Sequence, residues 1–384
     1  MSVIQNDEVG EFLSKEIDKS AKFINDCNGD SRLFSESVYL YGLFFLQDNI
    51  CDKKMDFSDV IDNKKNYEKI LKCIYNSLFT NKFISEQNFH RKYLGEIFNT
   101  VSVALPYLYD YDDVIFTKGD FKSIIYDFLK SIGQDNKFNK LISSEKLDII
   151  KFDQIINVGG VTLYNPVDNK YLMGIEQFDY SLYNLLVLVH ECGHISDFIQ
   201  ASDSMTPKEL ENYLLNSPYR EVNSLLYEKM FFKYLVESKI CMEDITNLFY
   251  DKQFRFNDHL LSTFLYSYLD SKYLIDDKYK FLSSDELCSE LSKKLIMNDS
   301  TKEFVSSYDF SLFDDCCYSY GNIISSFLHD NILEEGRMDS SLMKKFMNIR
   351  SGNFDRRFIE DNNLSVDKFS KVYTKELKRA PFQY

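Results

Sequence analysis

The stretch LLVLVHECGHISDFIQ, residues 185–200, places two of the chain's five histidines four positions apart, with a glutamate directly after the first. Positions four apart lie on one face of a helix, so His190 and His194 can present two imidazoles to a single metal ion while Glu191 stands beside them. That pattern suits two zinc ligands and a general base that takes a proton from water. Cys192 points off the histidine face and is expected to pack in the core. Gly193 costs ~1 kcal/mol in a helix interior relative to alanine, a cost that makes sense if another backbone or a substrate passes close by.

A catalytic zinc usually takes three protein ligands and keeps a fourth position for water. No third histidine follows at close spacing, so a downstream carboxylate is needed, and Glu209, Glu211, Glu221 and Glu228 are the candidates. Glu209 and Glu211 follow Thr206-Pro207 and read as the acidic first turn of a short helix. Glu221 is expected one turn into the next helix, capped by Ser217-Pro218, with Ser224 and Glu228 sharing its face at three and seven residues on. His259 and His329 read as ordinary helix residues, and His90, in NFHRK, is given no role.

The elements that must carry these residues are mainly helices. With five prolines and thirteen glycines in 384 residues, long segments run uninterrupted with apolar residues three and four apart, as in SESVYLYGLFFLQDNI, KNYEKILKCIYNSLF and FKSIIYDFLKSIG. Residues 147–178 differ. Their β-branched and aromatic residues surround Gly159-Gly160 and a turn-forming Asn165-Pro166-Val167-Asp168-Asn169, which predicts a hairpin or small sheet just before the histidine helix. The expected organisation is an N-terminal helical region over 1–145 and a catalytic region over 146–384.

Composition narrows the function classes. The net charge is -15, with 60 acidic against 45 basic residues and no Lys/Arg cluster interleaved with aromatics, so nucleic acid is not an expected partner. Apolar runs such as LLVLV fall far short of the roughly 20 residues a membrane span needs. The first residues, MSVIQNDEVGEFLSKEIDK, lack a basic segment followed by an apolar one, so no membrane association and a cytoplasmic location are expected. Eight cysteines without a CxxC pair suit reduced thiols.

Several segments together resemble one family. HECGH at 190–194 matches HExGH; EVNSLLYE at 221–228 is similar to a second motif of glutamate, then serine at plus three and glutamate at plus seven; GGVTLYNPVDNKYLMGIEQF resembles a strand pair ahead of the active-site helix; and CYSYGNIISSFL, 317–328, is similar to a C-terminal tyrosine-rich helix. On these residues the chain resembles the oligoendopeptidase F and thimet oligopeptidase family of zinc metallopeptidases, gluzincin type, as a shortened member. The resemblance implies a mainly α, helical zincin-like fold with a substrate channel. It implies one Zn2+ per chain held by His190, His194 and Glu221, with Glu191 as general base and short unstructured peptides as substrates. Tyr318 and Tyr320, in the tyrosine-rich segment, are the candidate oxyanion donors. Asp197 stands where many members carry another histidine. The carboxypeptidase Taq type has a similar glutamate-serine spacing but a histidine where this chain has Arg220, which makes a zinc carboxypeptidase the alternative. A catalytically silent peptide-binding relative is a further alternative, against which the intact His190, Glu191 and His194 argue.

Overall fold

Side chains alternate between the two faces of a strand, and in this protein each face of a small sheet feeds a different core. The structure, a computed structural model, describes residues 2–4, 6–28, 32–79, 114–154, 159–204, 206, 220–241, 244–252, 289, 315–332 and 365–377. The strands are β1 (Ser2–Ile4), β2 (Leu147–Phe152), β3 (Gly160–Asn165) and β4 (Lys170–Glu176), in the spatial order β1-β2-β4-β3. β2 runs parallel to both β1 and β4, and β3 pairs antiparallel with β4. The expected hairpin is therefore β3-β4, closed by the expected turn. Asn165 Oδ1 accepts hydrogen bonds from the amides of Val167 at 2.9 Å and Asp168 at 3.0 Å, the self-bonding that suits asparagine to turns. β1 was not foreseen, because three residues are too few to show an alternation.

From β2 and β4, Leu147, Ile149, Tyr171, Met173 and Ile175 enter one core, while Ile150, Phe152 and Leu172 enter the other. The second core is covered by α1 (Asn6–Asp26), α2 (Leu33–Cys51), α3 (Phe57–Val60) and α4 (Lys64–Phe79). α1 contributes Val9, Leu13, Ile17, Ala21 and Ile24, a stripe at three- and four-residue spacing that keeps one side of the helix against the sheet. The first core is larger. It is built from α5 (Lys118–Ser131), α6 (Asp135–Ser143), α7 (Leu182–Ser204), α8 (Val222–Ser238), α9 (Asp315–Ile332) and α10 (Val366–Leu377). Thr117 caps α5 by accepting from the Asp120 amide, and Gly133, at φ 71°, ends the helical run in the left-handed conformation that glycine adopts without strain.

The three helices read from sequence are present as α2, α4 and α5, and the architecture is mainly α with a small sheet ahead of the histidine helix, as expected. α7 is apolar almost all round in its first turns because neighbours enclose it. Leu182, Leu185, Leu186 and Val189 are buried, each such side chain stabilising by about 1.5–3 kcal/mol relative to exposure. Among the described residues no helix is long and apolar enough to cross a membrane.

Candidate metal centre

His190 and His194 project from α7 with their Nε2 atoms 3.1 Å apart. The third group comes from the start of α8. That helix begins at Val222, so Glu221 occupies its N-cap position instead of standing one turn in; the expected Ser217-Pro218 cap lies outside the described residues. The Glu221 side chain turns back onto α7, and its Oε2 lies 3.3 Å from the Nε2 of both histidines. A tetrahedral zinc with bonds of about 2.0–2.2 Å sets its ligand atoms about 3.3–3.5 Å apart. The triangle of two nitrogens and one oxygen fits an ion of that kind.

The surrounding bonds aim these atoms. Glu228 Oε1 lies 2.7 Å from His190 Nδ1; an ionised carboxylate only accepts, so Nδ1 carries a hydrogen, and with a metal ion in place of the Nε2 proton the ring would offer that nitrogen's lone pair to the centre. Glu228 Oε1 also accepts from Lys252 Nζ at 2.9 Å. Ser224 Oγ lies 3.0 Å from Glu221 Oε2 and 2.9 Å from the Glu221 carbonyl oxygen, fixing the carboxylate relative to its own backbone. Burial works against an imidazolium at His190, but hydrogen bonds and charge from Glu221 and Glu228 outweigh it and push the pKa up to about 10. Burial also opposes ionisation of the two glutamates and is likewise outweighed. The histidines hold Glu221 well below the usual carboxylate range, and Lys252 with His190 brings Glu228 down to about 2. Carboxylates that stay ionised while buried, beside two imidazoles turned to one point, form a set whose negative charge suits a cation, which would take the place of the His190 proton.

Glu191 is 3 % exposed, and its Oε2 accepts from Thr162 Oγ1 on β3 at 2.6 Å. His190, Glu191 and His194 offer ligand atoms within 4.8 Å of one another, so those three could themselves hold a metal ion. Glu221 is the better third ligand on geometry, because its Oε2 faces both imidazoles equally while Oε2 of Glu191 is engaged by the strand. Gly160 makes room for Glu191: a Cβ there would stand 2.6 Å from Glu191 Oε1. Its neighbour Gly159 is left-handed at φ 68°, and its amide donates to Glu176 Oε2 at 3.0 Å.

The helix glycine that looked costly has its explanation in a backbone. A Cβ on Gly193 would meet Ser224 Cα at 2.5 Å, the Ser224 amide nitrogen at 2.8 Å and the Asn223 carbonyl oxygen at 2.9 Å. On the other side, a Cβ on Gly321 of α9 would stand 2.8 Å from Glu221 Cβ. Asn223 Nδ2 donates to Asp197 Oδ1 at 2.9 Å, joining the same two elements. Tyr318 is half-buried and, three residues before Gly321, lies on the α9 face turned toward Glu221. Tyr320 lies in α9, but its side chain is outside the described residues, as are Glu209, Glu211, His90 and His259. Cys192 packs in the core, where burial pushes its thiol pKa up, and His329 is buried within α9. Sequence reasoning missed Thr162, Lys252 and the Asp197–Asn223 bond. A lone glycine inside the apolar run of α9 was the available signal for the close approach at Gly321.

No protein-family model and no curated protein matches the sequence. Among solved structures, a protein from Chlamydophila abortus assigned as a peptidase matches with a TM-score of 0.53 at 12 % identity, over 98 % of this chain and 63 % of that one. A protein from Bacillus anthracis str. Ames assigned as an oligoendopeptidase F matches with a TM-score of 0.46 at 14 % identity, over 97 % of this chain and 74 % of that one. This chain thus spans less than two thirds of the Chlamydophila protein's length, and at that identity what the two share is the fold. The helical architecture with its small sheet before the histidine helix is that shared fold.

Proposed function

We propose that the chain is a zinc-dependent peptidase that hydrolyses short unstructured peptides, with His190, His194 and Glu221 as metal ligands and Glu191 as general base. The observation that carries this reading is the convergence of three ligand atoms at 3.1–3.3 Å beside a buried carboxylate that the ligand set does not need. A zinc ion bound there would supply Lewis acidity, polarising a peptide carbonyl and acidifying water.

The chain's own residues do the rest. Thr162 engages Oε2 of Glu191, which leaves Oε1, on the Gly160 side, to accept a proton from water and pass it to the leaving amine. Glu228 keeps His190 in the tautomer that presents Nε2. Tyr318 or Tyr320 donates to the oxygen on which negative charge develops. Among the described strands β3 lies at the edge of the sheet, so a substrate added along it in extended form would satisfy its backbone while passing the base that Thr162 touches. A folded domain cannot take that form without unfolding, which costs about 5–15 kcal/mol.

The test is zinc content together with cleavage of a quenched peptide, for the wild type and Glu191→Gln. The expected result is one zinc per chain in both proteins and hydrolysis only by the wild type. Zinc binding without cleavage of any peptide in a mixed library would leave a silent peptide-binding relative. Mass spectrometry of the products separates internal cleavage from carboxypeptidase trimming.

A further inference from the structure

Asp197 lies three residues beyond His194 on α7, and neither the metal set nor the proposed proton path uses it. It is 1 % exposed, and Asn223, its partner across the interface, is 0 % exposed. Their 2.9 Å hydrogen bond crosses the interface that Gly193 opens one turn earlier, where Asn223 O and the Ser224 amide press on the helix. The two contacts do different things. The glycine sets how closely segment 221–224 approaches α7, and the hydrogen bond sets where along α7 it sits. Ser224 cannot do the second job, because it ties the Glu221 carboxylate only to Glu221's own backbone. Glu221 stands at the N-cap, two residues before Asn223, so a slide of Asn223 along α7 would carry the carboxylate off the point midway between the imidazoles. A hydrogen bond buried at both partners is costly to break, which suits it to holding that register.

We propose that Asp197 and Asn223 form a positioning pair that holds the Glu221 carboxylate in register with His190 and His194 and thereby sets the affinity of the centre for zinc. The inference rests on the reading of those three residues as metal ligands.

The experiment measures zinc affinity of the full chain by competition with a chromophoric chelator, beside circular dichroism and urea unfolding. Asp197→Ala and Asn223→Ala should each weaken zinc binding by about 10- to 100-fold. The double variant should be no weaker than the weaker single one, because the pair acts as a unit. Asp197→Asn keeps the acceptor oxygen and should stay within about threefold of wild type. Asn223→Asp sets two carboxylates face to face and should weaken binding, whereas adding Asp197→Asn to it rebuilds the bond with donor and acceptor exchanged and should restore affinity. If the alanine variants do not fold, the exchanged pair decides: failure to regain the affinity lost in Asn223→Asp overturns the proposal. So do alanine variants that fold with a lowered unfolding midpoint but bind zinc as the wild type does, since a merely structural contact would behave that way. A wild type that binds no zinc defeats the reading of the metal centre itself, while normal zinc binding by every variant defeats only the pair.

Discussion

Gly193 lies directly against the backbone of Ser224, so close that a Cβ at position 193 would stand 2.5 Å from Ser224 Cα. The obstacle is main chain, which cannot swing aside as the end of a long side chain can. With Gly321 pressing from α9 at Glu221 Cβ, the segment that carries Glu221 is held between two helices that each present a bare hydrogen to it. Gly193→Ala should therefore push the segment away from α7. The helix-propensity gain of ~1 kcal/mol offsets only part of an overpacking cost of about 1–3 kcal/mol, and zinc affinity should fall with stability. Urea unfolding and zinc titration check this; a variant equal to wild type in both would show that the contact does not set the ligand spacing.

Thr162→Val removes the hydroxyl that holds Glu191 while keeping the branched shape a strand accommodates. If Glu191 is the general base, steady-state kinetics on a peptide should show kcat lowered roughly 10-fold, a fraction of what a positioned base contributes, with KM little changed and Thr162→Ser restoring the rate. An unchanged kcat in the valine variant would mean that the 2.6 Å bond has no part in orienting the base.

If Tyr318 donates to the oxyanion, Tyr318→Phe should lower kcat by about 100-fold or more with little effect on KM, the signature of an interaction made mainly in the transition state. Tyr320→Phe is the comparison. A pure KM effect at both positions would reassign them to substrate binding.

Glu36 on α2 gives a pH prediction away from the metal centre. Burial pushes its pKa up to about 7; Asp168 of the hairpin turn adds to the rise, and Ser20 and Lys19 oppose it. A carboxyl that holds its proton more tightly in the folded chain than in the unfolded one stabilises the fold at low pH. That contribution is present below an unfolded value near 4.5 and is lost as pH rises to the folded value of about 7. The difference amounts to at most about 3 kcal/mol. Unfolding midpoints at pH 5 and pH 7.5 should therefore fall less in Glu36→Gln than in the wild type. Parallel pH profiles for the two proteins would show that Glu36 does not titrate across this range.

The features legible in the sequence are those written in local spacing. The four-residue step from His190 to His194, the Asn165 turn and the apolar stripes of α2, α4 and α5 each lie within one element, and each is found there. Gly193 was legible as a cost, but what it approaches was not, because Ser224 belongs to another element. The Glu221 helix was expected to begin earlier than Val222 because Ser217-Pro218 reads as an N-cap and first-turn pair, and such a local signal does not report how the neighbouring helices α7 and α9 hold the segment that follows. Thr162, Lys252 and the Asp197–Asn223 bond depend on which elements meet in space, and nothing in their own neighbourhoods marks them.

The alternation of β3 has a further consequence. Leu163 packs in the core beneath α1 and α2, while its neighbour Thr162 points the other way and holds Glu191. A strand displaced by one residue exchanges its two faces entirely, which would bury the hydroxyl in the wrong core and set an aliphatic group against the carboxylate. The packing of Leu163 beneath the N-terminal helices and the placing of the Thr162 hydroxyl on Glu191 therefore depend on one register, and a slip of one residue would lose both together.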